Sequence, residues 1–147
     1  MPKKPIDTRK WFDRLQPQTL QIATWLLYLN GLFAAVGLLD RTDWVGAARE
    51  IKGLPGLVVG LLVIGAHVGG GFLMANDWRL GYRLALFAAV SPFILRVWVL
   101  SDDTFDGGVG LWTKISGNNT ISLIFEVALC ALLLHPISRE HQRRWYR

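Results

Sequence analysis

Four long apolar runs dominate this chain, falling between about Leu20 and Leu39, Gly56 and Ala75, Leu80 and Leu100, and Thr120 and Leu134. A soluble domain seldom contains such runs, because its apolar residues recur in stripes one helix face wide. At 1.5 Å rise per residue, about 20 residues cross the roughly 30 Å hydrocarbon layer of a bilayer. The fourth run sits at the short end of that range. The pattern predicts an all-α integral membrane protein. Its expected form is a four-transmembrane-helix bundle in a single membrane domain over residues 1–147, with short interfacial helices.

Composition supports this and excludes other classes. Of the 147 residues, 52% are hydrophobic and only 18% charged, which argues against a soluble enzyme or a disordered chain. Cys130, the one cysteine, lies in the fourth run and rules out a disulfide scaffold. The net charge of +5 matters less than where the charges lie, so nucleic acid is not an expected partner.

The polar segments between the runs predict orientation. The amino-terminal arm (Lys3, Lys4, Arg9, Lys10, Arg14), the second-to-third turn (Arg79, Arg83) and the tail (Arg139, Arg143, Arg144, Arg147) together carry eleven basic residues. The opposite side carries four: Arg41, Arg49, Lys52 and Lys114. The excess of Lys and Arg in short loops marks the cytoplasmic face, so both termini are expected in the cytoplasm and the protein in the inner (plasma) membrane. The tryptophans agree with this placement. Trp11, Trp25, Trp78 and Trp145 fall near the inner interface, and Trp44, Trp98 and Trp112 near the outer one.

Smaller features fill in the polar segments. Trp11, Phe12 and Leu15 share one side of a possible short helix along the headgroups. Thr42 or Asp43 can cap a two-turn helix bearing Trp44, Ala47, Ala48 and Ile51. The loop Ser101–Asn119 holds Gly107, Gly108, Gly110 and Gly117 and is expected to be irregular. A calcium loop beginning at Asp102 fails, because its twelfth position is Thr113 where a bidentate Glu is required. The sequon at Asn118 lies too near the membrane to be used readily, and His135-Pro136 leads into a basic tail.

Three ionisable residues fall inside the runs: His67, Arg96 and Glu126. Each needs a partner or a purpose in hydrocarbon. Helix rise puts Arg96 and Glu126 within one turn of the same depth. Arg96 continues the small-residue line Ala85, Ala88, Ala89 and Pro92, while Glu126 lines up with Ser122 and Cys130. A structural Arg96–Glu126 ion pair joining the third and fourth helices is expected. Asn30, His67 and Ser91 share a midplane layer, in which hydrogen bonds between helices are the expected role for His67. Haem ligation is disfavoured, because His135 and His141 lie at or beyond the cytoplasmic end. Pro92 frees the carbonyl of Ala88 and predicts a bend.

Glycine patterns the second run. Gly56, Gly60, His67 and Gly71 fall on one side of a helical wheel, and Gly65 and Gly69 on the other. Gly56-xxx-Gly60 and Gly65-xxx-Gly69 both match the small-xxx-small pattern of closely packed membrane helices. Two close-packing faces predict a helix in the middle of a bundle or one that meets another protein. No P-loop, GxSxG, HExxH or CxxC motif occurs, and no nucleophile–base pair or metal-ligand cluster is apparent. No catalytic, cofactor-binding or metal residue is therefore expected, and the chain is not expected to be an enzyme.

The stretches Trp25–Asp40 (WLLYLNGLFAAVGLLD) and Trp78–Trp98 (WRLGYRLALFAAVSPFILRVW) resemble the small four-span membrane proteins of actinobacteria. Some of those accompany the respiratory cytochrome bcc–aa3 supercomplex as accessory subunits without redox centres. The resemblance implies a non-catalytic subunit in contact with other integral membrane subunits and the lipid bilayer. A small homo-oligomeric carrier or channel is the second reading, and a b-type haem or quinone-site anchor the third.

Overall fold

The computed structural model describes residues 6–40, 54–100 and 120–146, with the backbone alone at residues 40 and 96–100. Among the described residues the elements are five α-helices: α1 (Gln18–Asp40), α2 (Leu54–Ala75), α3 (Arg79–Leu100), α4 (Thr120–Leu134) and α5 (Pro136–Trp145). The first four occupy the four apolar runs. The interfacial helix expected after Asp40 and the loop expected over Ser101–Asn119 lie outside the described residues.

Two of these helices, over Gln18–Leu39 and Leu54–Ala75, are long and apolar enough to cross a membrane. A third crossing results if α4 and α5, bent by 53° at their junction, count as one span. The expectation of four spans is thus met only in part. The reason is local. Alone, α4 has 15 residues, fewer than a full crossing needs, and the side chains of the last five residues of α3 lie outside the described residues.

Helix α2 packs most extensively, against α3 on one side and α1 on the other, and α4 closes the ring against α1 and α3. Leu20, Ala23 and Leu27 from α1 meet Ala66 and Met74 from α2, Ala85, Ala88 and Ala89 from α3, and Leu129 and Leu133 from α4. Small side chains dominate where α2 meets α3, so these two helices approach until backbone limits them. A Cβ on Gly70 would lie 2.9 Å from the amide nitrogen of Ala85. One on Gly81 would collide with the backbone of Leu73 and Met74.

The tight α2–α3 turn is a helix-capping motif. Trp78 N donates to Leu73 O (3.0 Å) and Asp77 N to Met74 O (3.0 Å). This is the paired bonding of a Schellman cap, with Asp77 at φ 61° in the left-handed position that glycine usually takes. At the other junction, His135 caps α5 by accepting from Ile137 N, and Pro136 opens the helix where its missing N–H costs nothing. The sequence reading expected only a basic tail here.

Residues 6–17 form turns and bends rather than the expected short helix. Carboxylates divert the backbone. Asp7 Oδ1 accepts from Arg9 N and Asp13 Oδ1 from Leu15 N, both at 2.9 Å, and such local bonds compete with helical ones. Trp11 instead packs on Tyr28 and Phe72, and Phe12 on Trp25.

Candidate functional site

Three groups of residues stand out: a polar layer in the middle of the bundle, the two glycine faces of α2, and a polar network at one end.

Asn30, His67 and Ser91 are all buried, at 1%, 2% and 4% exposure. Gly31 brings α1 against α2 here, since a Cβ on it would lie 3.2 Å from the His67 Cβ. The three side chains do not bond to one another as expected. His67 Nδ1 lies 2.8 Å from Val63 O in its own helix, and Ser91 Oγ donates to Ala88 O at 2.9 Å in its own. Bonding to the carbonyl one turn back is always within reach on a helix, so it wins over a partner on a neighbouring helix. The Ser91 bond has a further use. It satisfies the carbonyl that Pro92 deprives of its helical donor.

Asn30 is different. Among the described residues neither its Oδ1 nor its Nδ2 has a hydrogen-bond partner, although the side chain is buried. His67 complements it chemically, because an Nδ1–H donated to a carbonyl leaves Nε2 with a free lone pair. The layer thus offers one amide NH2 group and two acceptor atoms in an apolar interior. His135 and His141 lie at the α4–α5 end, so a second histidine does not face His67. Among the described residues no three His, Cys, Asp or Glu side chains gather to hold a metal.

Glu126 is buried at 3% exposure, on one face of α4 with Ser122. Cys130 on the same line donates to Ala89 O across the α3–α4 contact. The Arg96 side chain lies outside the described residues, and with it the expected ion pair.

The glycine faces of α2 separate. Gly56, Gly60 and Gly71 are buried along with His67. A Cβ on Gly60 would lie 3.0 Å from Leu38 Cδ1, and one on Gly71 would lie 2.8 Å from the Tyr28 ring. At Gly65 and Gly69 an added Cβ would meet nothing within 4 Å. One face packs inside the bundle and the other looks outward.

The polar end joins segments far apart in sequence. Asn76 Nδ2 donates to Lys10 O and Phe72 O, and its Oδ1 accepts from Asp7 N. Gln16 Nε2 donates to Met74 O at 2.7 Å and to Asp77 Oδ1 at 3.1 Å. The Asn76 bond occupies the Phe72 carbonyl that the end of α2 would otherwise leave open, and Gln16 adds a second donor to Met74 O. Lys10 Nζ lies 2.5 Å from Asp13 and 3.5 Å from Asp77. Partial burial works against the Lys10 ammonium, but the hydrogen bond to Asp13 and the charges of Asp77 and Asp13 outweigh it and hold its pKa up. Burial likewise opposes the Asp13 carboxylate, yet Lys10 and the Leu15 amide pull its pKa down. On α5, burial pushes His141 down, against the pull of Asp77 and Asp13. Arg79 Nε donates to Tyr146 O at 2.9 Å, placing the carboxy-terminal segment at this same end. Sequence reasoning missed this network. Its one visible signal was the Asn76-Asp77 turn, with nothing to say that Gln16 and Lys10 would reach it.

No family model, curated protein or solved structure matches the chain.

Proposed function

We propose that the chain is a non-catalytic accessory subunit of a larger membrane complex. In this reading it spans the inner (plasma) membrane four times with both termini in the cytoplasm. The outward placement of Gly65 and Gly69 carries the proposal. Lipid gains nothing from a glycine groove, whereas a partner helix gains close dispersion contact there. The meeting of the amino-terminal arm, the α2–α3 turn and the carboxy-terminal segment at one end supports a shared cytoplasmic face, since these hold the eleven basic residues. The resemblance of Trp25–Asp40 and Trp78–Trp98 to small actinobacterial four-span proteins makes the respiratory bcc–aa3 supercomplex the first complex to test.

The test is gentle-detergent purification of the tagged chain from its native membranes, comparing wild type with Gly65→Leu and Gly69→Leu. Loss of a defined set of membrane subunits from the variants, with insertion unchanged, supports the reading. Retention of the same subunits, or a stable monomer in all three samples, rejects it.

The unpartnered Asn30 carboxamide beside the His67 layer favours a second reading, a small homo-oligomeric carrier or channel. Solute or proton flux in proteoliposomes that is abolished by Asn30→Leu supports the carrier reading over the subunit. A visible spectrum of the purified chain decides the haem-anchor alternative.

A further inference from the structure

We infer that the corner between α3 and α5 is a docking surface for anionic phospholipid headgroups of the leaflet at this end of the bundle. Four exposed arginines lie there: Arg79 and Arg83 on α3, and Arg139 and Arg143 on α5. Each pair is one helical turn apart, so its members are neighbours on the helix surface. Tertiary contacts from Arg79 and Tyr82 join α3 to the end of α5 and of α4. Arg79 Nε donates to Tyr146 O, the Tyr82 and Tyr146 rings meet edge-on at 6.4 Å, and Tyr82 Oη donates to Leu133 O at the end of α4.

Lys10 and Arg144 at the same end differ from this corner in having anions beside them. Lys10 is matched by Asp13 and Asp77, and Arg144 by Glu140. Among the described residues, none of the four corner arginines has a carboxylate within ion-pair distance. Guanidinium groups without a counter-charge among the described residues suit phosphate oxygens, which they can bind in bidentate fashion. The form of α5 selects a lipid over a free anion. Helix α5 turns 53° away from α4, and it exposes Ile137 and Trp145 on a different side from Arg139 and Arg143. Basic groups on one side and apolar and aromatic groups on the other match a helix lying at the boundary between headgroup and acyl chain. This inference stands apart from the subunit reading, requiring only that the bundle sits in a membrane.

Native mass spectrometry of the full-length chain, extracted from nanodiscs of 1-palmitoyl-2-oleoyl phosphatidylcholine with or without the phosphatidylglycerol analogue, tests it. The wild type is expected to retain phosphatidylglycerol in preference to phosphatidylcholine. Arg139→Gln with Arg143→Gln is expected to retain roughly thirtyfold less, given the contribution of each basic residue near an anionic surface. Arg9→Gln with Arg14→Gln, at the same end but outside the corner, is expected to match wild type. Arg139→Lys with Arg143→Lys keeps the charge and should recover most of the binding, separating loss of charge from loss of fold. Equal retention of both lipids by wild type overturns the inference. So does equal loss in the Arg9/Arg14 and Arg139/Arg143 glutamine variants, which would mark diffuse charge. Displacement of the lipid by soluble polyglutamate would reassign the corner to an acidic protein segment.

Discussion

Gly70 of α2 faces the backbone of Ala85 on α3 so closely that a single added methyl would stand 2.9 Å from the Ala85 amide nitrogen. No flexible side chain can yield there. Gly70→Ala is therefore expected to push the helices apart and cost about 1–3 kcal/mol, the usual range for overpacking. Gly65→Ala, with nothing within 4 Å of the new methyl, is expected to leave thermal stability in detergent within about 0.5 kcal/mol of wild type. Paired melting curves check this, and equal melting of the two variants would contradict the close α2–α3 approach.

Asn30 gives a prediction of the opposite sign. A buried amide without a protein partner forfeits about 1–3 kcal/mol of desolvation. Asn30→Leu is therefore expected to raise the melting temperature. If Asn30 serves transport, the same variant loses flux while gaining stability, and that divergence is the sign of a functional polar group. A destabilised Asn30→Leu would show that the carboxamide is bonded after all.

The expected Arg96–Glu126 pair is tested by comparing single and double changes. A buried carboxylate such as Glu126 is costly to leave unpaired, and breaking a buried pair typically costs about 3–5 kcal/mol. Arg96→Leu alone should lower stability or insertion more than Arg96→Leu combined with Glu126→Leu. Simple additivity of the two changes would remove the pair.

The polar end predicts a pH profile. The Asp13 pKa is held below its ordinary 3.8, so its stabilisation is present above 3.8 and lost as pH falls through the lower folded value. Lys10 is held above 10.5, so its share is complete below 10.5 and lost as pH rises through the higher folded value. His141 lies below 6.5. The folded state resists its protonation, and stability present above 6.5 declines as pH falls through the folded value. Melting temperature is expected to be flat from about pH 7 to pH 10, to fall first below pH 6.5, and to fall again below pH 3.8. His141→Gln should remove the first decline and leave the second. A profile unchanged by that substitution would place the acid transition elsewhere.

The helices were legible in the sequence because a long apolar run is a local property. Leu20–Leu39 and Gly56–Ala75 need no knowledge of their neighbours to become helices, and α1 and α2 begin within two residues of those limits. The wheel also separated Gly65 and Gly69 from Gly60 and His67, because a helical repeat alone sets which residues share a face. It could not tell which face turned inward. That was decided by Leu38 against Gly60 and Tyr28 against Gly71, contacts between helices that no periodicity encodes. The same holds for His67, whose bond to Val63 prevailed once packing against Gly31 had set its surroundings. Residues 6–17 show the limit most clearly. Trp11, Phe12 and Leu15 carry helical spacing, yet Gln16 and Lys10 are drawn to the end of α2 some 60 residues away, where the Met74 carbonyl and Asp77 offer them partners. Burial pattern is written locally along the chain, but a polar group takes whichever partner the fold brings within reach.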